Sequence, residues 1–136
     1  YPNNKDLKLF VTPNDNDNSN HNIFHRKFGN QKELINDLAT SKVFLIPGHK
    51  AELYCIAAEE ARELCIPIVT MGIGSLSDRV IHNKTGFIAN SKKEFANYTL
   101  ELFSNNTTWN EIRKNLIYLR NSNNWEIATR NFLKKL

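Results

Sequence analysis

Short apolar runs recur along the chain, each no longer than a strand and each bounded by turn-formers, and stretches with helical spacing lie between them. This alternation limits the fold more than any other feature. Residues 7–12 (LKLFVT) stop at Pro13, residues 43–46 (VFLI) stop at Pro47-Gly48, and residues 68–71 (IVTM) follow Pro67. Runs that are apolar throughout, instead of alternating with polar residues, belong to strands covered on both faces, as in a parallel sheet. Residues 23–28 read as a further brief strand, and Asn30 with Glu33 caps a helix carrying Leu34, Ile35 and Leu38. Strand, helix and the strand at 43–46 then make a parallel crossover unit. A second helix is expected over residues 54–64, a short one over 76–81 and a last strand over 86–89.

Helices dominate the C-terminal third. Ser91 with Glu94, and Thr108 with Glu111, are capping-box pairs for two helices bearing Phe95, Leu102, Trp109, Ile112 and Leu116. The run Asn121-Ser122-Asn123-Asn124 reads as a hinge before a closing helix over residues 125–136. The expected fold class is α/β, a Rossmann-like parallel sheet flanked by helices, with its ligand crevice at the carboxyl ends of the strands. Residues 1–120 are expected to form a partial Rossmann-like domain and residues 121–136 a hinge and C-terminal helix.

Composition narrows the class. Hydrophobic residues are 40% and charged residues 24%, as in ordinary globular domains. A net charge of +4 and a pI near 9.1 suit anionic ligands or peripheral contact with a phospholipid membrane surface. The basic residues are scattered with no aromatic interleaving, which argues against nucleic acid. Cys55 and Cys65 lack metal-ligand spacing and fit simple packing in a reducing, cytoplasmic compartment. His21 and His25 fall in a loop and a strand instead of on one helix, and residues 14–22 lack the glycine and terminal glutamate of a calcium loop. No metal and no cofactor are therefore expected, and no run is long enough for a transmembrane helix.

The stretch that carries chemistry follows the run at 43–46. A loop with His49 and Lys50 leads through Glu52, Leu53 and Tyr54 into the predicted helix. A helix N-terminus offers free backbone N–H groups and a positive dipole end, so the amides of Cys55, Ile56 and Ala57 are suited to a diphosphate without a metal. Glu52 lies before that helix and Glu60 within it, a pair suited to accepting hydrogen bonds from sugar and ribose hydroxyls. Tyr54, His49 and Lys50 border the same end, and Gly74 closes the turn after the next strand.

The segment ELYCIAAEEARELCIPIVTMGIGSLSDRVIHNKTGF resembles, without a gap, the donor-site signature of retaining GT-B glycosyltransferases of family 4, E-G-F-G-L-x-x-x-E-A-x-A-x-G-x-P-V-V-A, then G-G-x-x-E, then G-x-T-G. The closing WEIATRNFLKKL also resembles that family's last helix. The resemblance implies the C-terminal half of a GT-B fold and transfer of a sugar from a UDP-, GDP- or ADP-sugar with retention of configuration. Glu52 would contact the transferred sugar, Glu60 the ribose, and the amides of Cys55, Ile56 and Ala57 the diphosphate, while a preceding domain would bind the acceptor. Leu53, Cys55, Cys65 and Ser75 stand where the motif has small residues or glycine. The rival reading is a non-catalytic module that holds a nucleotide or phosphosugar, or a degenerate scaffold.

Overall fold

The computed structural model describes residues 8–11, 23–25, 29–122 and 125–135, within two compact units, Tyr1–Leu34 and Ile35–Leu136. In the first unit β1 (Leu9–Val11) and β2 (Ile23–His25) pair in parallel, Leu9 opposite Ile23, with the Phe10 and Phe24 rings stacked at 5.5 Å. The loop at 14–22, with His21, lies outside the described residues. The helix α1 (Gln31–Ala39) starts where the cap was expected, the Glu33 amide donating to Asn30 Oδ1 at 3.0 Å.

The second unit holds a parallel sheet of β3 (Phe44–Gly48), β4 (Ile68–Ile73) and β5 (Gly86–Ile88), in the order β3-β4-β5. Helices α2 (Ile56–Glu63) and α3 (Leu76–Arg79) connect the strands, and α4 (Lys92–Ser104), α5 (Asn106–Ser122) and α6 (Trp125–Leu133) follow. The chain is thus an α/β structure of parallel strands flanked by helices, Rossmann-like in type.

Strand alternation divides the apolar residues between two layers. Phe44, Ile46, Ile68 and Ile88 face a cluster with Leu38, Ala58, Ala61, Leu76 and Val80 from α1, α2 and the α3 region. Val43, Leu45, Val69 and Phe87 face the other layer, with Leu102 of α4 and Ile112 and Leu116 of α5. Both faces are covered, which is why the strands read as unbroken apolar runs. Burying such a side chain contributes about 1.5–3 kcal/mol, so Ile68, Val69, Leu102 and Leu116, each at most 2% exposed, are central to stability.

Several boundaries differ from expectation. Pro47-Gly48 does not end β3, because the register shifts between Ile46 and Gly48 and Gly48 pairs with Ile73. Pro47 has no N–H to give the ladder, but its carbonyl accepts from the buried Thr70 hydroxyl at 3.4 Å, and Gly48 follows at φ 101°. Helix α2 begins at Ile56 instead of residue 54 because Cys55 is left-handed, at φ 56°. Helix α5 begins at Asn106, not behind Thr108: Asn105 Oδ1 accepts the amides of Thr107 and Thr108 at 3.0 and 3.2 Å, and Thr108 donates its hydroxyl to Glu101 instead. The described part of the expected hinge, Asn121 and Ser122, is helical. No helix among the described residues is long and apolar enough to cross a membrane.

Candidate functional site

The loop between β3 and α2 is a tight turn anchored to the loop after β4. The Glu52 amide donates to His49 O at 2.9 Å, and His49 Nδ1 accepts the Ala51 amide at 3.1 Å, so this imidazole nitrogen serves its own turn. The Ser75 amide donates to Glu52 O at 3.0 Å, joining the two loops. Gly74, at φ 68°, lets them meet: a Cβ there would stand 2.5 Å from His49 O and 2.8 Å from Glu52 O. Its glycine character is thus required by loop against loop.

The N-terminal end of α2 meets one negative charge, the Glu52 carboxylate. Glu52 Oε1 accepts the Cys55 amide at 2.9 Å, while the first bonds of the helix are those of Ala58 and Glu59 to Cys55 O. The amides of Ile56 and Ala57 precede those bonds and, among the described residues, have no acceptor. Glu60 follows Ile56 by four residues, hence on the same face one turn on, and is half-buried. His49, Glu52, Cys55 and Gly74 are therefore gathered directly, while Ile56, Ala57 and Glu60 join them through the helix. Tyr54 is exposed beside them, and Lys50 is exposed on the turn outside this hydrogen-bonded group.

Two charged residues of this region escape a reading by spacing alone. Arg79 at the end of α3 donates its Nε to Tyr54 O at 3.2 Å, lies 4.1 Å over the Tyr54 ring and pairs with Glu59 Oε1 at 3.0 Å. Glu59 also pairs with Arg62 and is only 14% exposed, so it is a node and not an ordinary solvated carboxylate. The signal for Arg79 was its position inside the segment 52–87, immediately after the aspartate that takes the motif's last glutamate position.

Burial, with help from the Glu52 and Glu59 charges, pushes the Cys55 thiol up from its ordinary value, against the Ala58 hydrogen bond and the Arg79 charge. The thiol is thus held neutral and buried, a packing group instead of a nucleophile. Among the described residues no group of three or more His, Cys, Asp or Glu side chains could hold a metal ion.

The three non-glycine residues described with positive φ are Cys55, Cys65 and Asn83, at 56°, 56° and 63°. Each stands where the donor-site motif has glycine, so at these three positions a left-handed backbone carries a side chain. Thr85, 2% exposed, accepts the Ile81 amide at 2.8 Å, and the Asn83 amide donates to Gly86 O at 2.9 Å, so the Asn83-Lys84-Thr85-Gly86 segment closes the turn into β5.

No curated protein matches the chain. The family model for glycosyl transferases group 1 matches residues 5–119, which spans β1 to α5 and includes the whole loop-and-helix arrangement around Glu52. The chain therefore belongs to the glycosyl transferases group 1 family.

Proposed function

We propose that this chain is the nucleotide-sugar donor-binding part of a retaining GT-B glycosyltransferase of family 4, working on a UDP-, GDP- or ADP-sugar without a metal. The observation that supports this most is that the α2 N-terminus already holds an anion, the Glu52 carboxylate, on the Cys55 amide. In this reading a diphosphate takes the amides of Cys55, Ile56 and Ala57, Glu60 accepts from the ribose hydroxyls, and Glu52 turns to the transferred sugar. His49, Lys50, Tyr54 and Gly74 border the donor. Rate would come from positioning and from stabilising the departing diphosphate in a site that donates hydrogen bonds toward it. Residues 1–120 would form the donor domain and 121–136 its hinge and closing helix, with the acceptor held by a further domain. The 136 residues alone would transfer no sugar. A cytoplasmic location with peripheral contact to a membrane surface belongs to the same reading, for which the net charge of +4 speaks.

The test is titration with UDP, GDP and ADP, following the amide resonances of Ile56 and Ala57. Glu60→Gln keeps the shape but removes one acceptor oxygen, and it is expected to weaken the preferred nucleotide about tenfold to a hundredfold, from a charge-assisted bond of roughly 1.5–3 kcal/mol. Unchanged affinity in Glu60→Gln would sink the ribose assignment. Glu59→Gln is not a neutral control, because it breaks the tie to Arg79 and so loosens the Tyr54 loop. A second reading, a binding module without turnover, is favoured by the same Glu52–Cys55 bond, which employs the carboxylate as a cap. Nucleotide binding in a full-length protein that transfers no sugar would select it.

A further inference from the structure

We propose that the depression between the end of α1 and the first turns of α5 is a second ligand site, built for a phosphate-bearing small molecule, at the opposite end of β3 from the Glu52 loop. It is an open depression of about 370 Å³, and its lining contains Lys42, Asn106, Trp109, Asn110 and Arg113 but no carboxylate.

The polar groups there are donors held in place by their neighbours. Lys42 Nζ lies 2.7 Å from Phe103 O and 2.8 Å from Asn106 Oδ1, which fixes the ammonium and leaves one of its three protons for a ligand. It also sits 5.6 Å from the Phe103 ring centroid and 5.8 Å from that of Trp109. Because Asn106 Oδ1 is taken, that side chain offers its NH₂. The Trp109 indole N–H is used on Lys42 O at 2.7 Å, so the ring acts as a wall and not as a donor. Arg113 lies 4.9 Å over that ring, and among the described residues its guanidinium makes no hydrogen bond or ion pair. Its fork is therefore available and already ordered by stacking.

The hydroxyl protons of Thr40 and Ser41 and the Glu101 carboxylate are engaged elsewhere. Thr40 and Ser41 both donate their hydroxyls to Asp37 O at 2.9 Å. Glu101 Oε1 binds Asn105 Nδ2 and the Thr108 hydroxyl. The α5 amides of Thr107 and Thr108 are capped by Asn105, so the pocket's attraction for an anion comes from side chains. Two cations and the Asn106 NH₂ around one opening match a tetrahedral oxyanion, and a guanidinium can bind two of its oxygens at once. The volume left beyond a bare phosphate fits an ester.

The experiment is a ¹H–¹⁵N titration of the chain with inorganic phosphate at constant ionic strength, reading the Trp109 indole and the Arg113 Nε–H. Saturable shifts at both are the expected result, with the affinity read at the Trp109 indole at least fivefold weaker in Arg113→Gln. Asn110→Asp, which places a carboxylate in the pocket, is a second variant and should abolish saturation. Linear shifts without saturation, or equal saturation in both variants, would overturn the proposal. The outcome is separable from the donor-site reading: shifts confined to Ile56 and Ala57 overturn this site alone. Shifts at Trp109 without those establish this site alone. Glycerol phosphate against phosphatidylglycerol vesicles then gives the source, a soluble ester if the first binds more tightly and a lipid headgroup if the second does.

Discussion

The backbone at Cys65 turns through φ 56°, a left-handed conformation that costs a residue with a Cβ about 1 kcal/mol. It does so to end α2: the Ile66 amide donates to Ala61 O and the Cys65 amide to Arg62 O, each at 2.9 Å, the two bonds of a left-handed helix end that glycine makes without strain. The thiol is retained because it packs in the layer with Val69, Leu102 and Leu116. Cys65→Ala therefore keeps the strain and loses the sulfur, whereas Cys65→Gly loses the sulfur and relieves the strain. Chemical denaturation should find Cys65→Gly the more stable of the two by about 1 kcal/mol. The reverse order would mean that the left-handed turn is not a source of strain.

Among the elements, α5 is fixed to the start of β3 by one indole. Trp109 donates to Lys42 O, and Lys42 in turn holds Phe103 O at the end of α4, so two helices and a strand meet at a single side-chain pair. Trp109→Phe keeps most of the apolar area but leaves Lys42 O without its donor, and should cost about 1–3 kcal/mol, read from the denaturation midpoint. A loss within measurement error would show that water replaces the indole freely. The elements themselves were largely legible in the sequence, since runs such as VFLI and IVTM and the Asn30 cap obey rules that involve only near neighbours. What was not legible depends on partners distant in sequence or on backbone choices that several residues share. Pro47-Gly48 looked like a strand end, and only Thr70 and Ile73 across the sheet make it a bulge. Thr108 with Glu111 fitted a capping box, but Asn105 accepts the amides of Thr107 and Thr108 and starts the helix earlier. Within the site, Glu52 was placed correctly before the helix, whereas its bond to Cys55 and the Glu59–Arg79–Tyr54 chain depend on α3 folding back over the loop.

At the scale of the whole molecule, the proposed donor site would have two states, one with Glu52 on the Cys55 amide and one with Glu52 turned away. Glu52 is tethered three residues from the amide it caps, so under the proposed function its carboxylate would compete at a high effective concentration with a diphosphate. Only the fraction of molecules with Glu52 swung away would then accept that ligand fully, and the apparent affinity would be reduced by this fraction. Glu52→Ala empties the position, so UDP, GDP or ADP without a sugar should bind about tenfold more tightly, the equivalent of one charge-assisted bond of roughly 1.5 kcal/mol. Weaker binding would show that the carboxylate props the loop open. Self-inhibition of this kind would set a threshold: a nucleotide alone would gain the helix end only against the carboxylate, whereas a full donor would bring hydroxyls that give Glu52 somewhere else to go. The protein would in this way tell substrate from spent nucleotide with the same three amides.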